Sequence, residues 1–322
     1  MLPAKTVARQ ILHRAGSLHL ARWVNRGALR ILMYHRFPQP GALELHCRHI
    51  ARHYTPVSMQ AVARWLSRQE PLPPNPVAAT VDDGYRCFLD VAYPIFSKYR
   101  IPVTVYLATD FVDGISWFWD DRVRYSFLHT SRTRVEFERP GQAQRCFRLD
   151  SRESRMQSAF EVNETAKMLP EDQRRVMVEA VLEALDVRLP AGPPDGYEPL
   201  SWDSVRWLAR QGVEFGAHTK SHAILSRLGS ESAVFAEVEG SRRRIEEEIQ
   251  TPVTHFCYPN GRPCDIDRLA LRAVRSAGFH TAVTTRSGLN RSPTDPYLLS
   301  RIGATPDTPE HYLAECLAGF HL

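Results

Sequence analysis

Side chains that could carry catalysis follow four short apolar runs of this 322-residue chain, at residues 31–34, 77–81, 213–217 and 254–258. They are His35, the pair Asp82-Asp83, the pair His218 and His222, and the turn-type segment 259–261. Imidazoles and carboxylates bind divalent metals and transfer protons. Paired histidines and paired aspartates also occur elsewhere in the chain, so position after a strand-like run distinguishes this set.

His218 and His222 lie four positions apart, which on one helical turn lets both imidazoles face one metal ion. Zinc and similar divalent ions accept nitrogen and carboxylate ligands and keep a position open for water. Two histidines and one carboxylate would supply three protein ligands and leave one position for water. We therefore expect one of Asp82 and Asp83 to bind the ion. The other carboxylate would take a proton from the bound water, whose pKa such an ion lowers to about 7.

Two further polar clusters are given structural interpretations. One contains His46, His49 and His53. It falls in a predicted helix with apolar positions of its own, and we expect surface or packing roles. Asp120 and Asp121 fall outside the strand pattern, and we expect them to be solvated or to cap a helix.

Seven β-type runs alternate with helical patterns along most of the chain, which predicts parallel βα units. The runs are 31–34, 77–81, 103–107, 213–217, 254–258, 280–284 and 298–302. In parallel barrels the chemistry lies at the carboxyl ends of the strands, so the polar groups that follow these runs should converge.

Residues 113–200 interrupt this alternation. They contain the aromatic run 117–119, a hairpin pattern around Pro140-Gly141 and a charged helical segment. We expect an insertion on one rim of an α/β body that spans residues 30–322.

The formal charge of +5 is concentrated at the start of the chain. The first 43 residues hold seven Lys or Arg and no acid, and the rest carries 34 basic and 36 acidic side chains. No nucleic-acid motif is present, so we expect no nucleic-acid partner. Residues 1–29 are predicted to be a basic helical segment. Three interpretations of this segment stay open. It packs on the domain as a solvated helix, it contacts an anionic membrane through residues 1–30, or it is an organelle transit peptide.

Composition excludes several classes of protein. With 43% hydrophobic and 24% charged residues the chain is globular rather than disordered. It has no apolar run long enough to span a membrane and no secretory signal pattern. The six cysteines form no CxxC motif, which argues against a disulfide framework. We expect a cytoplasmic protein, with peripheral contact at the inner membrane face as an extension of that prediction.

Three motifs resemble those of the polysaccharide deacetylase family, also called the NodB-homology family or carbohydrate esterase family 4. They are T-V-D-D-G at 80–84, H-T-K-S-H at 218–222 and F-C-Y-P-N-G at 256–261. The segment L-M-Y-H at 32–35 is similar to the start of the poly-N-acetylglucosamine deacetylase branch. The resemblance covers about residues 30–305, apart from the insertion.

The resemblance implies a distorted (β/α)7 barrel that removes N-acetyl or other acyl groups from sugars with a divalent metal, Zn²⁺ first and Co²⁺, Ni²⁺ or Fe²⁺ as alternatives. By this analogy Asp82 is the base, and the metal ligands are Asp83, His218 and His222. The backbone N–H of Asn260 stabilises the oxyanion, and His35 protonates the leaving amine.

Two positions depart from the family pattern. Cys257 stands where many members have arginine, and residues 299–302 lack the histidine that many members carry near the C-terminus. His35 therefore receives the acid role, with a hydrogen-bonded core histidine as the alternative. Arg301 either orients Asp82 or only pairs with an acid. Trp117 and Trp119 either stack on a sugar or pack in the insertion.

The function expected from this resemblance is metal-dependent deacetylation of an amino sugar in a glycan or a lipid-linked glycan precursor. Two alternatives stay open. One is an amidohydrolase for a small non-sugar amide, and the other is a glycan-binding relative without catalysis.

Overall fold

A computed structural model describes residues 16–115, 117–139 and 142–322 of the chain. Its strands are β1 Arg30–Tyr34, β2 Thr55–Pro56, β3 Pro76–Val81, β4 Val103–Leu107, β5 Arg134–Arg139, β6 Gln142–Arg148, β7 Glu214–Ala217, β8 His255–Cys257, β9 Thr281–Ser287 and β10 Leu299–Gly303. Seven of them form a closed parallel barrel in the order β1-β10-β9-β8-β7-β4-β3. Leu32 shows the closure directly, because it pairs with Ile302 of β10 and with Ala79 of β3. The predicted (β/α)7 barrel is confirmed.

The barrel strands are apolar because both of their faces are covered. Every residue of β3 and β4 is buried. Successive residues point to opposite faces, so Ile31 joins one apolar cluster while Leu32 joins another. The larger cluster includes Val238 and Val274 from helices and therefore lies between strands and helices. This double burial explains the near-continuous apolar runs in the sequence.

Twelve α-helices connect and flank the strands in the described part of the chain. They are α1 Ser17–Val24, α2 Leu43–His53, α3 Met59–Leu66, α4 Tyr93–Lys98, α5 Thr109–Val112, α6 Trp119–His129, α7 Arg152–Ala166, α8 Glu171–Leu185, α9 Trp202–Arg210, α10 Glu231–Ile249, α11 Arg268–Ser276 and α12 Glu310–Ala318. A π-helical turn, Phe88–Ala92, leads into α4. Serine caps define several helix starts; for example, Ser201 and Ser230 accept backbone N–H bonds from the first turns of α9 and α10.

The elements from α6 to α8 lie between β4 and β7 in sequence. β5 and β6 form an antiparallel hairpin, as the alternating pattern predicted, although Pro140 and Gly141 fall outside the described residues. These elements share an apolar cluster of their own, which includes Phe127, Phe147 and Leu185. This second core explains why the βα alternation stops here.

The basic N-terminal segment is described from residue 16 onward, and residues 1–15 lie outside the described part. Helix α1 adjoins α12, and the Asn25 amide donates a 2.7 Å hydrogen bond to the carbonyl of Ala318. Among the described residues, no helix combines the length and apolar character that a membrane crossing needs.

Candidate active site

The residues that follow β1, β3, β7 and β8 meet in one cavity of about 350 Å³ at the carboxyl end of the barrel. Those predicted from the sequence that line it are His35, Asp82, Asp83, His218, His222 and Asn260. The barrel geometry explains their meeting, since parallel strands end at the same mouth.

Asp83 lies between two imidazoles. Its Oδ1 atom is 3.5 Å from Nε2 of His218 and 3.4 Å from Nε2 of His222. A left-handed backbone at Asp83 (φ 78°) turns the chain directly after β3. Gly84 continues this turn with φ 90°, and a Cβ atom there would lie 2.7 Å from the Leu107 side chain. The left-handed conformation therefore favours glycine at this position of the T-V-D-D-G motif, and any larger residue would also displace the Leu107 side chain.

Hydrogen bonding fixes the tautomer of His218. Its Nδ1 atom lies 2.7 Å from the backbone carbonyl of Cys257. A carbonyl oxygen only accepts, so Nδ1 carries a proton, and in the neutral ring the lone pair of Nε2 faces Asp83. The ring of His222 is held differently, by packing at 4.7 Å from the ring of Phe118.

The expectation that His218 and His222 share a helical turn is wrong. Residues 218–222 form a loop, in which Thr219 and His222 have left-handed φ angles of 63° and 60°. The backbone N–H groups of Lys220 and Ser221 donate to the carboxylate of Glu237 on α10. This carboxylate takes the donors that a helix would use, and the loop still brings both imidazoles to Asp83.

The electrostatics of this cluster favour a bound cation. The Oδ1 atom of Asp83 is buried and has no hydrogen-bond partner among the described residues. Burial opposes ionisation of Asp83, but His218, His35 and His222 hold its pKa below the usual range. Burial lowers the pKa of His222 to about 4, which keeps that imidazole neutral above this pH. Burial also opposes a charged His218, yet Cys257 and Asp83 raise its pKa, so these surroundings stabilise a positive charge at this ring, either a proton or a cation bound at Nε2.

Asp83, His218 and His222 therefore fit the divalent metal implied by the family resemblance, because their three ligand atoms lie close together. A second cluster, of Asp82, His218 and Cys257, fits less well. Burial raises the pKa of the Cys257 thiol, and the Arg301 guanidinium lies 3.2 Å from its Sγ atom. A protonated thiol beside a fixed positive charge is a poor metal ligand.

Asp82 is held by Arg301. Two parallel hydrogen bonds of 2.7 Å join the guanidinium to both carboxylate oxygens, and both side chains are buried. Burial alone would raise the pKa of Asp82, but Arg301 more than offsets this and lowers it. The Cys257 thiol contacts the same carboxylate at 3.4 Å. Position 257 holds a cysteine rather than an arginine, and the guanidinium that binds Asp82 belongs instead to Arg301 on β10.

His35 and Asn260 complete the floor of the cavity. His35 is 46% exposed with Nε2 3.6 Å from Oδ2 of Asp82, so the alternative of a core histidine is wrong. Asn260 has a left-handed φ of 60°, and its side chain donates to Asp265 at 2.5 Å. Its backbone N–H has no acceptor among the residues that the structure describes.

Of the two clusters given structural interpretations, the histidines on α2 lie outside the cavity. His46 is buried, bonded to Tyr34 at 3.2 Å and to the Thr308 carbonyl at 2.7 Å. For Asp121 the expected solvated or capping role is wrong. This side chain is buried in the first turn of α6 and accepts a 2.5 Å bond from the Tyr85 hydroxyl.

The region from α6 to α8 also contributes to the cavity, and of its lining residues sequence reasoning had offered only Trp119 as a contact for the substrate. Its lining residues are Trp119, Asp120, Glu164 and Lys167. Glu164 binds Lys167 at 2.8 Å and Arg262 of the loop after β8 at 3.1 Å. Position next to the third motif could have identified Arg262, whereas Glu164 and Lys167 look like ordinary surface charges of a helix.

The two tryptophans lie in different surroundings. Trp117 is buried and packs edge to face with Tyr125 and Tyr197. Trp119 lines the cavity, with the guanidinium of Arg174 4.7 Å above its ring.

Solved structures define the class of this fold. The chain is similar to a Streptococcus pyogenes deacetylase, PplD, in complex with acetate, at 18% identity and a TM-score of 0.60, covering 91% of this chain and 99% of that one. It is similar to IcaB from Ammonifex degensii at 16% identity and a TM-score of 0.57, covering 91% and 98%. For the BpsB deacetylase domain from Bordetella bronchiseptica the values are 14%, 0.54, 87% and 96%. At these identities the likeness shows a shared barrel fold.

A family model matches part of the chain. Residues 158–282 match the model described as polysaccharide deacetylase, in agreement with the family resemblance of the motifs. This match indicates carbohydrate deacetylation as the class of activity. Among curated proteins, none matches the chain.

Proposed function

We propose that this protein is a metal-dependent hydrolase that removes an N-acetyl group, or another acyl group, from an amino sugar in a glycan or a lipid-linked glycan precursor. One observation carries the proposal. Asp83 contacts the Nε2 atoms of His218 and His222, while the adjacent Asp82 is held apart on Arg301 in the same cavity. Structural relatives described as deacetylases, one of them with acetate bound, support the choice of reaction.

Asp83, His218 and His222 would hold the ion, which we propose is Zn²⁺, with Co²⁺, Ni²⁺ or Fe²⁺ accepted by the same ligands. Such an ion would polarise the acyl carbonyl and acidify a water molecule.

Asp82 acts as the base in this proposal. Its buried pairing with Arg301 keeps it ionised, the state in which it can accept a proton from the attacking water. Arg301 is the positioning residue, because two parallel bonds fix the plane of the carboxylate.

His35 acts as the acid. When the carbon–nitrogen bond breaks, the departing amine needs a proton, and His35 faces the cavity 3.6 Å from Asp82. The backbone N–H of Asn260 donates to the negative oxygen that develops on the acyl carbon. The base, the acid and the oxyanion donor would therefore all reach the substrate from the same end of the barrel.

Acetate release from N-acetylglucosamine oligomers, measured with and without a chelator, tests the proposal. We expect release that stops with the chelator and returns when Zn²⁺ is added. Hydrolysis of small anilides without hydrolysis of sugars would favour the amidohydrolase alternative. Oligomer binding without any acetate release would favour a non-catalytic glycan-binding protein.

We further propose peripheral contact with an anionic membrane through the N-terminal segment. On α1 the side chains of Leu20, Trp23 and Val24 are 63%, 62% and 65% exposed. Arg22 and Arg26 accompany them, and the guanidinium of Arg26 lies 5.0 Å from the Trp23 ring. Exposed apolar and aromatic groups beside arginines suit the boundary between lipid headgroups and acyl chains.

A further inference from the structure

Asp265 is a buried carboxylate that the proposed reaction does not use. It ends a short 3-10 turn, Pro263–Asp265, in the loop after β8, and its side chain is 0% exposed. Burial of a carboxylate is unfavourable unless hydrogen-bond donors replace the water that it loses. The donors around Asp265 therefore show which parts of the molecule this carboxylate holds.

Most of these donors belong to residues that line the candidate active site. The Oδ2 atom accepts hydrogen bonds from the Asn260 amide at 2.5 Å, from the Arg262 backbone N–H at 3.1 Å and from Nε of Arg262 at 2.9 Å. Both residues line the cavity. The Oδ1 atom lies 3.5 Å from the guanidinium of Arg227, which follows the loop 218–222. One carboxylate thus joins the segments after β7 and β8 at the barrel mouth.

The bond from Asn260 supports an unusual backbone shape. Asn260 and Gly261 have left-handed φ angles of 60° and 53°. This conformation is unfavourable for residues other than glycine, although asparagine tolerates it better than most. Asp265 binds the side chain of Asn260, and the Thr285 hydroxyl donates to its carbonyl at 2.8 Å. With both of these groups bound, Asn260 has little freedom, and the orientation of its backbone N–H is fixed.

The same carboxylate also orients Arg262. Because Nε of Arg262 donates to Asp265, the far end of the guanidinium extends to Glu164 on α7, where Nη1 lies 3.1 Å from the carboxylate. Asp265 therefore connects the loop of Asn260 to the insertion that lines the other side of the cavity.

We propose that Asp265 is a positioning residue, which holds the loop after β8 so that the backbone N–H of Asn260 is oriented for the oxyanion before the reaction begins. This inference rests on the proposed function and deepens it by assigning a residue that touches neither substrate nor metal. A donor stabilises developing negative charge most when it needs no reorientation. Loss of Asp265 should therefore weaken catalysis while substrate binding and the metal ligands are retained.

Steady-state acetate release from an N-acetylglucosamine tetramer tests the inference, with zinc content measured on the same samples. Asp265→Ala removes the acceptor. Asn260→Gly removes the donor side chain but retains the backbone N–H, and glycine adopts the left-handed conformation readily. The control variant Asp267→Ala removes a carboxylate two positions further on, which instead caps α11 by accepting the Ala270 N–H at 2.8 Å.

We expect kcat to fall roughly 10–100-fold in Asp265→Ala and in Asn260→Gly, because a shift of about 1 Å in a catalytic group can cost 10²-fold. KM and zinc content should stay unchanged, since the interaction that is weakened forms only in the transition state. The control should keep the kcat of the unmodified protein.

The double variant Asp265→Ala/Asn260→Gly separates positioning from general support of the fold. If the bond between the two side chains carries the effect, kcat of the double variant should equal that of Asp265→Ala. Asn260→Gly tests the same bond without removing the buried carboxylate, so the test does not depend on the folding of Asp265→Ala.

An unchanged kcat in Asn260→Gly, a loss that appears in KM instead, or losses that multiply in the double variant would overturn the inference. Acetate release by the unmodified protein would in each case leave the proposed function standing. Absence of acetate release from the unmodified protein, with Zn²⁺ present, would overturn both.

Discussion

Asp82 and Asp83 are neighbours in sequence, yet they face different surroundings. Asp82 meets the guanidinium of Arg301, whereas Asp83 meets two imidazoles. The left-handed turn at Asp83 produces this separation at the end of β3. A pair of carboxylates can thus serve two roles, because each one has different partners.

For Asp82, we predict that Asp82→Asn lowers kcat by about 10²–10⁴-fold, since the amide cannot accept the proton of the attacking water. The isosteric side chain leaves Asp83, His218 and His222 in place, so bound metal should be retained. Steady-state acetate release and metal content together check this. A variant that keeps full turnover would show that Asp82 is not the base.

Arg301 should contribute strongly to stability. Arg301→Leu leaves a buried carboxylate without its partner, and removal of one member of a buried pair costs about 3–5 kcal/mol. Denaturant unfolding of this variant measures the loss.

The double variant Asp82→Asn/Arg301→Leu is the matched control, because it removes the stranded charge. We expect it to recover part of the lost free energy of unfolding. If it is instead as unstable as the two single losses added together, the pairing does not account for the effect.

At the scale of elements, the barrel strands were predictable because burial on both faces leaves a signal in the local sequence. The run 77–81 is an example, with β3 observed at Pro76–Val81. The loop at residues 218–222, where a helical turn was expected, could not be predicted in this way. The carboxylate that holds this loop belongs to Glu237 on another element.

The candidate site was likewise predictable only where its residues belong to a local sequence pattern. The motifs identified the residues that follow the strands, since each is local to one strand end. The burial of Asp121 could not be predicted, because it depends on Tyr85 and Arg36, which follow other strands. Glu164 and Lys167 reach the cavity only through the packing of α7, which no local pattern encodes.

Asp121 should make the stability of helix α6 depend on pH. Burial, aided by Asp120, raises its pKa from 3.8 to about 7 against the opposing effect of Arg124 and Arg36. The folded state therefore holds this proton between about pH 4 and pH 7, while the unfolded state loses it. The stability contributed at low pH is lost as the pH rises across that window.

Asp121→Asn removes this titration, so the difference in unfolding free energy between the two proteins should shift in favour of the variant from pH 4 to pH 7. Thermal or denaturant unfolding at several pH values measures this difference. A difference that does not change with pH would show that the carboxyl does not titrate in this window.

Across the whole molecule, the cavity at the barrel mouth and the apolar surface of α1 belong to different parts of the chain. We predict that Leu20→Glu/Trp23→Glu weakens co-sedimentation with vesicles of anionic phospholipid at least several-fold, because two apolar anchors become charged. The matched control is Val176→Glu on α8, where the native side chain is 71% exposed. Equal recovery of the unmodified protein and both variants would contradict the membrane contact.

The central claim is that the closed barrel brings Asp83, His218 and His222, which are far apart in sequence, around one divalent ion. The most direct test is the zinc content per chain, measured by mass spectrometry after dialysis, for the unmodified protein and for Asp83→Ala. We predict one ion per chain in the first and almost none in the second. Zinc content that is unaffected by the loss of Asp83, or no zinc in the unmodified protein, would contradict the account.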